Sequence, residues 1–271
     1  MELSEVTILI PNYNGGKYIC DSVLSALNQT VSCNVLVVDN GSTDDSLIIL
    51  KKLESIYENL EIIFEHRRGI TYALNTGLDR IQTKYIARLD SDDKMKPERI
   101  QKQLEFFSQN PKAILVGSNL ELIDKNGEIL GLKYYPTTNE AIKKSISFMN
   151  PIAHPSVMVE TTIIKNIKYS DLFSGAEDLN LWINIMDLGS FHNIDTPLTQ
   201  YRLHNDQLTM NRNYYRTELR VRLAHLRSLF TLGKGLTLLR ILDLIFMAVG
   251  LDFHRKFFRK VHLNLTKAPS I

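Results

Sequence analysis

Cysteine is nearly absent from this 271-residue chain: only Cys20 and Cys33 occur, and their spacing suits neither a metal site nor a disulfide framework. A fold stapled by disulfides is excluded, a reducing cytoplasmic compartment is expected, and neither cysteine lies in a nucleophile motif. The opening segment MELSEVTILIPNYN has no basic stretch ahead of an apolar one, so no signal peptide is expected. Long hydrophobic runs are also lacking. The most apolar stretch, TLLRILDLIFMAVGL (237–251), contains Arg240 and Asp243, and at about fifteen residues it falls short of the roughly 20 that a span needs. No GxGxxG follows the first apolar run, which argues against a dinucleotide-dependent oxidoreductase.

What is present is ordinary for a globular protein, with 44% hydrophobic and 23% charged residues. The length allows one large α/β domain, or one with an appendage. The net charge of +2 conceals an asymmetry. Residues 212–271 carry twelve Lys and Arg against three Asp and Glu, and residues 1–211 carry twenty against twenty-seven. A basic tail on a mildly acidic body favours polyanions. Nucleic acid is not expected, because no nucleic-acid-binding motif accompanies the charge. HRKFFRK (254–260) interleaves aromatics with cations and suits an interfacial helix at a membrane surface. The simpler alternative is a packed helix hairpin with a solvated basic face.

Short β-branched runs alternate with helical patterns through the first half. Strands are predicted at 6–10, 34–38, 60–64, 85–89 and 113–117, with helices near 16–28, 43–57, 70–81 and 97–109 between them. That alternation implies βαβ crossovers, hence a mostly parallel sheet with helices on both faces. A hairpin turning at Asn126–Gly127 is predicted for 120–131, then a helix at 138–148, a strand at 155–159 and a helix at 176–188. From 211 onward the pattern is helical.

Ligands of such sheets sit at the carboxyl ends of the strands, and there the polar residues collect. KYIARLDSDD (84–93) runs from a buried strand straight into Asp90, Ser91, Asp92 and Asp93. Crowded carboxylates repel, and a divalent cation reverses that cost; Asp90 and Asp92, two apart in extended chain, point to one side. A helix cap before Pro97 is the plainer explanation. PNYNGGKYI (11–19) offers a polar turn, and VVDNGSTDDS (37–46) ends a strand in Asp39, with Ser42 or Thr43 able to cap the next helix. A carboxylate at Asp39 can accept a hydrogen bond from the N3–H of uracil or thymine. AEDLNLW (176–182) opens a helix with Glu177 and Asp178, and YRLHNDQLT (201–209) supplies His204.

Seven ordered segments, from TILIPNYNGGKYICDSVLSALNQT through VVDNGSTDDS, GITYALNTGL, YIARLDSDD, NPIAHPSVMV and AEDLNLW to YRLHNDQLT, resemble glycosyltransferase family 2 on the GT-A fold over roughly residues 5–210. The resemblance implies a nucleotide-sugar-binding half (1–117), an acceptor-binding half (118–210) and an appended basic helical tail (211–271). By that resemblance Asp90-Ser91-Asp92 is the DXD motif that holds Mn²⁺ or Mg²⁺ on the donor diphosphate. Asp39 reads the base, Pro11, Tyr13 and Asn14 line the nucleotide pocket, and Arg88 precedes the DXD as in relatives. Asp178 takes the place of the catalytic base, and His204 that of a metal or diphosphate contact. Glu177 is read as structural, as are His154 and Trp182, and the Arg67–Arg68 pair as a solvated loop.

One position departs from the family: Leu74 in Ala73-Leu74-Asn75 replaces a polar residue that would face the donor. The implied activity is inverting, metal-dependent transfer from a UDP- or dTDP-sugar to a hydroxyl of a glycan or lipid-linked glycan in surface-polysaccharide assembly, on the inner face of the membrane. A polyprenyl-phosphate glycosyltransferase using a GDP- or UDP-sugar, and a catalytically silent nucleotide-sugar-binding module, are the alternatives.

Overall fold

The computed structural model describes residues 4–204 and 212–231; the apolar 237–251 and basic 254–260 stretches lie outside the described residues. The chain begins β1 (Val6–Asn12), α1 (Ile19–Leu27), β2 (Asn34–Asp39), α2 (Ser46–Glu54), β3 (Leu60–Phe64), α3 (Ile70–Arg80) and β4 (Tyr85–Arg88). β1 pairs in parallel with both β2 and β4, and β2 with β3, which gives the order β3-β2-β1-β4. Three of the expected βαβ crossovers lie in this part.

Beyond β4 the sheet becomes mixed. Next come β5 (Lys94–Met95), α4 (Arg99–Gln109), β6 (Ala113–Ile123), β7 (Ile129–Lys133) and α5 (Asn139–Ser145). They are followed by β8 (Met158–Glu160), α6 (Thr161–Ile167), α7 (Glu177–Ile185), β9 (Ser190–Arg202) and α8 (Arg212–Thr231). The predicted fifth strand does not lie against the fourth, because β8 inserts between β4 and β6 and is antiparallel to both. β9 pairs in parallel with β6, and β5 adds antiparallel to β9.

Two local expectations change, and one strand carries no local signal. The segment 113–117 and the first hairpin arm are one continuous strand, β6. The strand expected at 155–159 begins as a 3-10 turn at His154–Ser156, where Pro155 sets the backbone, and is extended only over Met158–Glu160. β9 escapes a two-residue alternation reading because its register on β6 shifts around Asp195–Pro197. The Asn126–Gly127 turn is as expected: the Asp124 carboxylate accepts from the Asn126 and Glu128 amides, and Gly127 takes the φ of 93° that closes it.

Alternation along each strand fills two cores. Leu9, Leu36, Val38 and Ile86 face α3, α6 and α7, where Leu74, Leu78, Trp182 and Phe191 join them. Ile8, Ile10, Val35 and Val37 face α1, α2 and α4, with Val23, Leu50, Ile100 and Phe107. Each such side chain contributes about 1.5–3 kcal/mol on burial. Leu74 is fully buried in the first cluster, so its side chain turns inward, away from any donor. β1 and β2 end side by side at Asn12 and Asp39, and β4 ends at Arg88, level with Leu9.

Candidate active site

The loops after β1 and β2 interlock. Asp39 is fully buried, and its Oδ1 accepts from Asn12 Nδ2 (2.9 Å) and Ser42 Oγ (2.6 Å). Its Oδ2 accepts from the amides of Gly41 (3.2 Å) and Ser42 (3.0 Å). Those four bonds match the roughly four lone-pair sites of a carboxylate, so Asp39 is fully occupied here. Ser42 is thus bound to Asp39 and caps no helix. Asn14 adopts a left-handed φ of 52°, which asparagine tolerates, and its side chain accepts from the Thr43 amide at 2.8 Å. Pro11 is buried within β1, whereas Tyr13 is about half exposed with the Arg68 guanidinium 5.7 Å over its ring. Arg67 is held by a bidentate pair with Glu65.

The acidic loop after β4 is clamped from two sides. Ser22 on α1 donates to the Asp90 carbonyl at 2.9 Å. From the end of β9, Arg202 donates its amide to Asp93 Oδ1 (2.9 Å) and its Nε to the Asp92 carbonyl (2.9 Å), and its guanidinium covers the Tyr18 ring at 4.5 Å. His204 Nε2 lies 2.8 Å from Asp92 Oδ2. The backbone of Gly15 abuts Ser91: a Cβ there would meet Ser91 Oγ at 3.2 Å.

Asp90, Asp92 and Asp93 each offer an oxygen within 4.8 Å of the others. Burial, and then the neighbouring carboxylates, raise Asp92 and push Asp93 well above the usual carboxylate range. Asp93 Oδ2 is buried without a hydrogen-bond partner among the described residues. Hard oxygen ligands crowded at this cost fit a divalent cation of the Mn²⁺ or Mg²⁺ kind.

Arg88 connects this loop to the second carboxylate pair. Fully buried, it forms an ion pair with Asp90, while its Nε and Nη1 have no partner among the described residues. Tyr169, whose hydroxyl bonds His154 Nε2 at 2.8 Å, feels the charges of Arg88, Asp178, Glu177 and Asp90 together. Asn75 on α3 holds Tyr169 in place through its backbone N–H and C=O.

Glu177 and Asp178 open α7, both buried. Glu177 accepts from the Gly175 amide at 2.7 Å and is raised chiefly by burial. Asp178 accepts from Asn150 Nδ2 (2.6 Å) and from the Leu179 amide (2.7 Å). Burial first, and the Glu177 charge second, push its carboxyl up to about 7. A carboxylate poised there serves general-base chemistry at neutral pH. The arrangement therefore joins a crowded carboxylate cluster, a polar edge at the ends of β1 and β2, and one buried carboxyl raised into the neutral range.

The sequence of residues 7–159 matches the family model described as glycosyl transferase family 2. The chain belongs to that family. A putative teichuronic acid biosynthesis glycosyltransferase, TuaG, of Bacillus subtilis is 30% identical over 76% of this chain and 82% of its own. The O-antigen biosynthesis glycosyltransferase WbnJ of Escherichia coli is 33% identical over 75% and 81%. Among solved structures, S. aureus TarS 1–349 in complex with UDP-GlcNAc superposes with a TM-score of 0.67 at 19% identity, over 82% of this chain and 66% of that one. The mannosyltransferase PcManGT of Pyrobaculum calidifontis, in complex with GDP-Man and Mn²⁺, gives 0.59 at 14% identity over 97% and 85%. Both likenesses concern the fold, which is GT-A.

In this glycosyltransferase, Tyr13, Asn14 and Asp39 meet at one strand edge; Arg88, Asp90, Ser91, Asp92 and His204 meet at the next. Asp178 stands behind Arg88 and Tyr169. Trp182 and His154 pack edge-on against each other in the core, the packing role read for both. Asn12, in the polar turn expected at the end of the first strand, joins the site, as do Asn150 and Tyr169, which carry no signal of their own; Asn150 opens the NPIAHPSVMV segment, informative only by resemblance.

Proposed function

We propose that this glycosyltransferase transfers a sugar from a UDP- or dTDP-sugar to a hydroxyl of a glycan or lipid-linked glycan during surface-polysaccharide synthesis, with inversion at the anomeric carbon. The observation that carries the reading is Asp178: a buried carboxylate raised to about 7, grouped through Arg88 and Tyr169 with the acidic loop. The relatives named for teichuronic acid and O-antigen synthesis support the pathway class, and the TarS complex with UDP-GlcNAc supports the donor class.

The donor nucleotide lies along the Asn12–Ser42 edge, its base over Tyr13 and toward Asp39. Asp90 and Asp92, with Asp93 and His204 beside them, would hold the cation. When bound, that cation offsets the charge growing on the departing diphosphate. Arg88 fixes the Asp90 carboxylate by its ion pair. Asp178 accepts the proton of the acceptor hydroxyl, whose oxygen forms the new bond to the anomeric carbon as the bond to the diphosphate oxygen breaks on the opposite face. One base suffices for such a displacement, and no covalent sugar–enzyme bond forms. The site then returns to its starting state once the proton leaves Asp178 for solvent. The basic tail supports action at a membrane surface, and no helix among the described residues is long and apolar enough to cross one.

Calorimetric titration with UDP, dTDP, GDP, CDP and ADP, each with Mn²⁺ and again with EDTA, tests the reading. Metal-dependent binding of UDP or dTDP is expected. Preference for GDP removes the role given to Asp39, and binding of no nucleotide by folded protein overturns the assignment.

A further inference from the structure

The base does not stand alone on its helix. Of the two groups that bond the Asp178 carboxylate, one is the Leu179 amide of the same turn and the other is the side chain of Asn150, twenty-eight positions earlier. Asn150 stands at the end of the segment that leaves α5. That segment is held from outside by α8: Arg222, 5% exposed, donates its Nε to the Ile146 carbonyl (3.3 Å) and its Nη1 to Glu218 Oε2 (3.2 Å). Val221, one residue before it, is buried in the same core cluster as Ile146 and Leu179. An arginine–glutamate pair so buried is costly unless its geometry is fixed, and here its fixed end is the backbone that carries Asn150.

We propose that Asn150 is a positioning residue for the catalytic base, and that Arg222 on α8 keeps it in position by pinning the 146–150 segment. The inference rests on the reading of Asp178 as the base. It makes α8, which follows the seven family-like segments, a working part of the active site and not merely a spacer to the tail. The hydrogen bond from Asn150 favours the charged carboxylate, opposing burial and the like charges of Glu177 on α7 and Glu218 on α8; the Tyr169 hydroxyl and the Arg88 cation complete the charged surroundings. It also fixes which oxygen faces the acceptor. Misplacement of a reacting group by about 1 Å costs on the order of 100-fold in rate.

The test uses the full-length protein labelled with ¹³C at aspartate Cγ. Asp178→Asn identifies the Asp178 resonance by difference, and its titration is then followed in each variant. Asn150→Leu removes the donor without opening space for water, and should raise the Asp178 midpoint by about one pH unit. Glu218→Gln alone removes a like charge and should lower the midpoint; adding Arg222→Met removes the pin and should raise it relative to Glu218→Gln. Arg222→Lys in place of Arg222→Met, which keeps a donor for the Ile146 carbonyl, should restore the Glu218→Gln midpoint.

Single-turnover release of nucleotide from UDP-GlcNAc, or from the sugar nucleotide of whichever diphosphate binds, should slow about 10–100-fold for Asn150→Leu with donor affinity unchanged. A wild-type midpoint in Asn150→Leu, together with equal midpoints in Glu218→Gln and in the double variant, all folded by circular dichroism, overturns the proposal. Full turnover in Asp178→Asn overturns the base assignment instead, whatever the titrations show.

Discussion

Replacing Asp178 by asparagine separates its chemistry from its cost to the fold. The carboxyl is raised from an ordinary 3.8 to about 7. The sign follows: a folded-state value above the unfolded one gives stability that is complete below about pH 4 and lost as pH rises through 7. A shift of roughly three units corresponds to about 4 kcal/mol lost by pH 8. Asparagine has no such charge to bury. It keeps an acceptor for Asn150 but gives up the bond from the Leu179 amide, a loss of about 1 kcal/mol. The variant should therefore be marginally less stable than wild type at pH 4 and about 3 kcal/mol more stable at pH 8, with the difference changing sign between pH 4 and 5.

Urea unfolding at several pH values measures this directly, and Trp182, the only tryptophan and fully buried, reports it by fluorescence. Turnover should fall by several orders of magnitude while UDP binding in Mn²⁺ is retained, since Asp178 contributes no group to the nucleotide edge. A stability difference that stays flat from pH 4 to 8 would falsify the raised carboxyl. Retained turnover would leave the stability argument intact and dismiss the base. Wild-type single-turnover rates should in turn rise with pH and level off above about 7.

Asp90→Asn and Asp92→Asn should each abolish the Mn²⁺-dependent part of UDP binding, read by calorimetry with and without EDTA. His204→Ala should weaken Mn²⁺ about 10–100-fold, as expected for a group bonded to a ligand carboxylate 2.8 Å away; an undiminished affinity argues against its place at the centre. Arg99→Met should lower stability by more than about 4 kcal/mol. The fully buried Arg99 donates to Gln103, Thr199 and the carbonyls of Arg88, Pro155 and Val157, and an apolar replacement strands them. Ser42→Ala, which removes a hydrogen bond to Asp39 and the acceptor for Asn12 and the Asn14 amide, should weaken UDP binding several-fold with little change in turnover at saturation.

What the sequence made legible, and what it hid, divides along one physical line. The strands β1 to β4 are read correctly because each is an apolar run flanked by a helix with its own periodicity, and because parallel crossovers leave few other topologies. Asp90 and Asp92 are visible because like charges crowded at a strand end call for a reason. Asn150 and Arg222 are not, since an asparagine before a proline is an ordinary turn residue and an arginine in a basic helix is an ordinary surface one. Their role exists only once α8 lies against the end of α5, a contact between segments 76 positions apart that no local pattern encodes.

Asp39 shows the opposite limit. Its type and place at a strand tip are correctly singled out, yet whether it is free to meet a base depends on Ser42, Asn12 and the Gly41 amide, which occupy it here. A carboxylate that must surrender one of four bonds to bind selects for a donor strong and well placed enough to replace it. Ser42→Ala empties one acceptor position on Asp39 and also releases Asn12 and the Asn14 amide, so every nucleotide loses the ordered edge while one that bonds Asp39 is spared a displacement. Calorimetry of UDP, dTDP and GDP on wild type and Ser42→Ala decides it: a smaller loss for UDP and dTDP than for GDP supports selection through Asp39, and parallel losses for all three place the selection elsewhere.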